Sequence, residues 1–509
     1  MKARSLTQNA LWNITSTICN ILLLFLGTPI IIRGLGTENY GIYVILGSIA
    51  GMLAITNLGL GEATLRYVAE YHAKNDPVSV NRVFSSTLLL YAILGGAITA
   101  AIFIFPGPLI HLLNLTDSPA AFTLIRLTVL MFWLNLLGSC LLAIPKALQR
   151  YDWCAAFEFC QNLFRLGVVI GIIRSGYGLV ALMWGSLVIA FFALLVLIAV
   201  ARRLVPYLAI CWPGMNGFKQ VLRYGVFIFL GQMVGLLWQY GDSILLSSFI
   251  GPAAVAFFSV PMQLVGKCFQ VITAGISVMF PRFAAKGGDF QSQRKEIGEL
   301  YLIGTQIGLL GSIFICVPLA VMLPDFLRLW ISPEFSENTY EISTVLAGSY
   351  IIRGAFLAYD ALLKGLGYPR IIFLITLFSS LMIVGIDVAL IPIWGLNGAG
   401  FAYIVSPVVG IITIIWIFKR ILQLDMLYFF TEIIIPYLIG LIILFAGVWI
   451  RSQAWWPQMG WIGFLTISSI FGIGTIVGVL GVGKALGCLR FLANHKNLTD
   501  YIIKRIRCS

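Results

Sequence analysis

Charge is the scarcest commodity in this sequence. Of 509 residues, 10% are Asp, Glu, Lys or Arg, against 60% hydrophobic. A soluble globular domain carries roughly 25% charged residues, so a water-soluble chain is excluded. Histidine is nearly absent: His72, His111 and His495 all fall in predicted loops or the tail. An intramembrane His metal site or proton relay therefore has no material. Nine cysteines are scattered without a CxxC pair, which implies neither a zinc site nor a disulfide framework. No GxxxxGK[ST] loop occurs, so ATP hydrolysis by this chain is unsupported. No long loop is expected either; the longest exterior one is read as residues 323–339. No cofactor is called for.

What the sequence has in abundance is apolar length. Hydrophobic runs of about 20 residues recur from Trp12 to Val482, each able to cross a ~30 Å hydrocarbon core. A β-barrel would instead show alternating segments of ~10 residues. The fold class is all-α and polytopic, with fourteen spans expected at 12–32, 41–60, 83–105, 121–145, 157–173, 178–201, 225–248, 255–280, 301–322, 340–360, 371–391, 398–418, 433–450 and 462–482. The first run has no small-residue cleavage site after it, so it is expected to be a retained helix.

The net charge of +13 reads as topology rather than as a nucleic-acid footprint. With both termini in the cytoplasm, 25 of the 33 Lys and Arg fall on the inner side and four outside, at Arg33, Arg174, Arg328 and Arg451. That asymmetry is a strong positive-inside signal. The expected location is a cytoplasmic membrane. The tail beyond Lys484 interleaves basic and aliphatic residues, the composition of a helix lying on anionic lipid.

A repeat offset by about 215 residues aligns 36–69 with 251–284. An aromatic pair opens each segment (Tyr40/Tyr43, Phe257/Phe258), and a basic inner loop closes it at Arg66 or Arg282. An offset of six spans preserves orientation, which is the parallel-repeat transporter design. The expected organisation is an N-lobe over 1–210, a C-lobe over 211–424 related by pseudo-two-fold symmetry, and two further helices plus the basic tail over 425–509.

The four remaining cations, Arg126, Arg165, Lys267 and Arg353, fall inside spans. Facing lipid, each would cost about 2.5–3.5 kcal/mol, so they should face the bundle interior or water. Arg126 lies near the outer end of its span and is equally placed to snorkel to the interface. At 100° per residue, Gln232, Gly235, Gln239 and Asp242 share one face of span 7. Glu158, Gln161, Asn162 and Arg165 share another on span 5, and Gln263, Lys267 and Gln270 a third on span 8. Span 10 groups Ser349, Tyr350 and Arg353; span 11 groups Thr376, Ser380 and Asp387. Such narrow polar stripes suit helices around a wet cavity. Asp242 and Asp387 are candidates for ion coupling or simple ion pairing. Four deep cations against two deep carboxylates make that cavity net positive, hence attractive to anions.

The run RGLGTENYGIY (33–43), followed one span later by NLGLGEATLRYVAE (57–70), resembles the opening of bacterial polysaccharide-transport flippases. These are the O-antigen and exopolysaccharide translocases of the multidrug/oligosaccharidyl-lipid/polysaccharide exporter superfamily. Asn57 departs from the pattern, since many members carry Asp before the LGLG stretch. The resemblance implies two lobes around a V-shaped cavity, alternating access, and an undecaprenyl-pyrophosphate-linked oligosaccharide moved to the outer leaflet. The polysaccharide polymerase and chain-length machinery are implied partners. Within that frame Arg165, Lys267, Arg353 and Arg126, with Gln232, Gln239 and Gln270, are the expected cargo-binding residues.

Three rivals are weighed against this. A lipid II flippase would also want a positive cavity. A multidrug or cation antiporter would want lumen carboxylates, and span 1 carries none. A membrane glycosyltransferase would need acidic or His groups beside a long soluble-face loop, and neither is found. The chain is therefore expected to be a transporter rather than an enzyme.

Overall fold

The computed structural model describes residues 23, 25–116, 118–148, 150–215, 218–219, 235, 239–277, 283, 290–366, 368–426, 430–453 and 460–485. Their regular structure is helical, and no strand occurs among them. Eleven helices are long and apolar enough to span a bilayer, and two shorter apolar ones run over Phe25–Leu35 and Ile435–Arg451. The chain is an all-α polytopic membrane protein. Twelve of these helices overlap the expected spans 2–6 and 8–14, and Phe25–Leu35 overlaps the end of the first. The first and seventh spans, 12–32 and 225–248, lie mostly outside the described residues.

By its contacts the chain divides into two units, Met1–Ala256 and Phe257–Ser509. In the first, α1 (Thr37–Leu53) follows Gly36, whose φ of +84° permits the turn into the helix. A 3-10 turn over Ala54–Asn57 ends this span, and Leu58 and Gly59 take left-handed conformations. The chain then restarts as α2 (Leu60–Ala73). The NLGLG stretch is thus a helix break, and Asn57 holds it together. Its Oδ1 accepts the Gly61 amide at 3.2 Å, capping α2, and also meets the buried Tyr91 hydroxyl. Tyr91 opens a π turn (Tyr91–Gly95) after α3 (Pro77–Leu90). The π turn leads into a further helix, Gly96–Ile104, that completes the span. Leu60, Ala63 and Val68 of α2 are fully buried with Tyr91 and with Phe132 and Leu136 of α4 (Ala121–Ala147). The unit continues with α5 (Tyr151–Arg174) and α6 (Leu179–Leu204).

The second unit holds most of α7 (Pro252–Ser277), then α8 (Phe290–Trp330), α9 (Pro333–Gly365), α10 (Pro369–Trp394), α11 (Leu396–Val405), α12 (Pro407–Trp416), α13 (Ile435–Arg451) and α14 (Trp461–Ala485). Its main contact is α8 against α9. Two glycines allow it: a Cβ on either Gly308 or Gly354 would collide with the other's carbonyl oxygen. Ser312 Oγ donates across this crossing to the Ile351 carbonyl at 2.6 Å. Close approach at small residues with a hydroxyl bond is the usual glue of membrane helix pairs.

Residues 323–339 are not the loop the sequence suggested. Helix α8 runs to Trp330 through Pro318 and Pro324, and α9 starts at Pro333. Ser332 caps α9, accepting the Phe335 amide at 3.2 Å. A Ser-Pro pair supplies the cap and a first-turn residue needing no amide donor, so two residues suffice for the connection.

Candidate functional site

Within the first unit, Arg165 sits half-buried on α5, and Glu158, Gln161 and Asn162 of the same stripe are also half-buried. Its Nε is enclosed without a hydrogen-bond acceptor among the described residues. Arg126 behaves differently. It is exposed on α4, donates from Nε to the Phe103 carbonyl at 3.1 Å, and lies 5.2 Å from the Phe103 ring. The Phe103 carbonyl lies in the last turn of the helix ending at Ile104, where unpaired carbonyls and the negative end of the dipole favour a cation. Gln239 is exposed, whereas Asp242, three residues on, is 5% exposed. Gln232 lies outside the described residues.

In the second unit Arg353 is the most elaborately held cation. Its Nη2 donates to Ser406 Oγ at 3.0 Å, and the guanidinium lies 4.9 Å from the Tyr350 ring and 5.0 Å from the Tyr403 ring. Two aromatic faces stabilise a desolvated guanidinium by cation–π attraction. Tyr350 also ties α9 to α7, packing edge-on to Phe269 at 5.0 Å, with its hydroxyl 3.8 Å from Met262 Sδ.

Lys267 lies between Met262 and Phe269 in sequence but about 140° round the helix from Met262 at 100° per residue. It therefore points away from the face that α9 occupies. Arg353 and Lys267 stand on packed helices and are not brought into one contact. Lys267 is half-buried and makes no ion pair or hydrogen bond among the described residues. Gln270, on its stripe, is exposed. Asp387 on α10 is fully buried, as is Ser380 about two turns earlier on its stripe, at 1% exposure. Asp360, at the far end of α9, pairs with Lys364 at 2.6 Å.

What this arrangement can do chemically is bind negative charge. Arg165 in the first unit and Lys267 in the second each offer N–H donors that no described acceptor takes up. No cluster of three or more His, Cys, Asp or Glu suited to a metal ion occurs among the described residues.

Two polar pairings escaped the sequence reading. Asn57–Tyr91 links residues 34 apart, and its only local signal was the double glycine after Asn57. Asp325 and Arg451 form a buried pair at 2.9 Å, each 9% exposed, with the Arg451 guanidinium 4.5 Å from the Tyr340 ring. Arg451 reads in sequence as an outer-loop charge and Asp325 as part of a loop, so nothing local pointed to their union.

The profile of a family described as "Polysaccharide biosynthesis protein" matches residues 6–286. A Shigella flexneri protein, provisionally named an O-antigen transporter, is 21% identical over 432 residues, covering 82% of this chain and 98% of its own. The succinoglycan biosynthesis transport protein ExoT of Rhizobium meliloti is 23% identical over 316 residues, 60% of this chain and 58% of its own. Among solved structures, the lipid II flippase MurJ in an inward closed conformation superposes with a TM-score of 0.71 at 13% identity, covering 96% of this chain and all of that one.

Proposed function

The chain belongs to the polysaccharide biosynthesis protein family, and from that premise we propose that it flips an oligosaccharide carried on undecaprenyl pyrophosphate. The direction is from the inner to the outer leaflet of the bacterial cytoplasmic membrane, by alternating access and without covalent chemistry of its own. The product feeds cell-surface polysaccharide assembly, next to the polymerase and chain-length machinery.

One observation carries this reading: Arg165 and Lys267 are membrane-depth cations with no carboxylate partner among the described residues. A protein tolerates such a cost where the charge meets water or an anionic ligand. Arg and Lys are the usual partners of phosphate, Arg by its fork and Lys as a point charge. A pyrophosphate head is mobile, dianionic or more, and present only when cargo is bound, so it suits cations without fixed counter-ions. Arg353, framed by Tyr350 and Tyr403, is a further cation of the second unit. The amides of Gln232, Gln239 and Gln270 are assigned to sugar hydroxyls.

The test is complementation in a strain lacking the gene. Lys267→Ala and Arg165→Ala should insert at normal abundance yet restore little surface polysaccharide. Each removes a charge-assisted contact worth about 1.5–3 kcal/mol, roughly ten- to hundredfold. Lys267→Arg should be milder, since the positive charge survives. Full export by both Ala variants at normal abundance overturns the reading. The lipid-linked glycan that accumulates in the deletion strain identifies the cargo, and accumulation of lipid II in its place would move the assignment to the cell-wall precursor.

A further inference from the structure

The second unit carries a cavity of 430 Å³ lined by Glu337, Asn338, Tyr340, Glu341, Trp394 and Asn397, together with Ile342 and Leu396. Its volume falls within the range of small-molecule sites, about 300–1,000 Å³. It lies where the first turns of α9 meet the turn between α10 and α11. By the positive-inside count, this is the end of the unit predicted to face outward.

The lining has a definite chemistry. Asn397 Nδ2 donates to Glu341 Oε2 at 2.6 Å, so each side chain fixes the other. The second carboxylate oxygen and the amide oxygen are left without partners among the described residues. Asn338 is steadied in the same way, donating to the Glu334 carbonyl at 2.9 Å. The indole of Trp394 is 54% exposed, and its plane is set by a perpendicular Phe401 at 5.7 Å. Interfacial anchoring would account for Trp394 alone. It would not account for a carboxylate–amide pair assembled from residues 56 apart beside that ring.

We propose that this cavity binds a hexopyranose unit, neutral or amine-bearing, with the ring stacked on Trp394 and its hydroxyls shared between Glu341 and Asn397. Aromatic faces take the apolar face of a sugar ring, and fixed carboxylates and amides take its hydroxyls. The sign of the site gives the selectivity. Glu337 and Glu341 are its charged lining residues, and the nearby Arg451 is compensated by Asp325 at 2.9 Å. An acidic sugar or a phosphate is therefore repelled, which separates this site from the cations assigned to the anionic head. The inference rests on the proposed function only for the site's role, which is to hold the glycan of a translocated cargo; sugar binding itself stands on the cavity.

The experiment is saturation-transfer NMR on the full chain in nanodiscs of phosphatidylcholine and phosphatidylglycerol, which carry neither sugar nor primary amine. The probes are methyl glucoside, glucosamine and glucuronate at neutral pH. The first two should bind and glucuronate should bind at least about tenfold more weakly. Trp394→Ala and Glu341→Gln should each weaken the glucoside by about tenfold or more, while Lys74→Ala, in an exposed ion pair of the first unit, leaves it unchanged. Failure of both methyl glucoside and glucosamine to bind, glucuronate binding as well as glucoside, or binding unaffected by both cavity variants overturns the proposal. None of those outcomes touches the export phenotype of Lys267→Ala, so the two readings fail separately.

Discussion

At the residue scale, long-range pairs matter most because the chain has so few charges to spare. Asp325 and Arg451 are 126 residues apart, 9% exposed each and 2.9 Å from one another. Removing one partner strands the other in a poorly hydrated place, at about 3–5 kcal/mol. Arg451→Met should therefore lower the thermal midpoint of the purified protein sharply. Asp325→Leu combined with Arg451→Met should recover much of that loss, because both desolvation costs vanish together. A double variant as unstable as the single one would mean that packing around Tyr340, rather than charge, is what Arg451 supplies. The glycines give a second residue-scale prediction. Gly354→Ala forces a methyl onto the backbone of Gly308, and overpacking of this kind costs about 1–3 kcal/mol. Gly385→Ala meets nothing within 4 Å and should be neutral or slightly stabilising, since Ala favours a helix over Gly by about 1 kcal/mol. Thermal midpoints of the two variants decide it.

At the scale of elements, breaks and caps shape the spans. Helix α3 begins at Pro77 with Asp76 as its cap, whose carboxylate accepts the Ser79 amide at 3.1 Å. Hydrogen bonding from the Ser79 hydroxyl, and then from its amide, holds the Asp76 carboxyl below its ordinary pKa. A carboxyl depressed in the folded state adds stability above its unfolded pKa and loses it as pH falls through the folded one. Protection of the Ser79 amide from hydrogen exchange should thus be flat from neutral pH down to the ordinary carboxylate range, about 4, and collapse below it. Asp76→Ala should remove the protection at neutral pH and flatten the profile. A few residues earlier, Glu70 is held low by Lys74 at 2.6 Å. This is the four-residue spacing visible in the sequence as an ion-paired polar face. The opposite face of α2 is occupied: Leu60, Ala63, Thr64 and Val68 are buried, and Thr64 Oγ1 meets Thr87 Oγ1 of α3 at 2.6 Å.

The same region stitches the stretch after α6 onto the first unit. Asn81 of α3 donates to the Tyr207 carbonyl at 2.9 Å and accepts the Ala209 amide at 3.1 Å. His72 lies 2.8 Å from the Tyr207 hydroxyl, and Ser85 Oγ accepts the Cys211 amide at 2.9 Å. Residues 205–213 had read only as part of a basic inner loop. Their non-helical backbone needs partners, and Asn81 and Ser85 of α3 supply them.

At the scale of the whole molecule, orientation is the testable quantity. From the 25-to-4 distribution of Lys and Arg we propose that both termini lie in the cytoplasm. Reporter fusions after residue 250 should then read outside, and fusions after residue 290 inside. The reverse pattern would invert every loop, including the side of the membrane to which the 430 Å³ cavity opens.

The sequence alone determined the class of molecule and the positions of most spans, because crossing a bilayer is a local requirement: about twenty apolar residues in a row. It also singled out the cations expected within spans, since rarity makes them conspicuous. Tertiary structure alone decided what each polar group meets. Arg353 on Tyr403 and Ser406, Asn397 on Glu341, Arg451 on Asp325 and Tyr91 on Asn57 join residues from different elements, and helical periodicity says which face a side chain occupies but not which helix covers it. The stretch 323–339 was misread for a related reason. Its polar residues raise the cost of burial in lipid, yet helix hydrogen bonds continue beyond the bilayer wherever a neighbouring helix packs against them, as α9 does along α8.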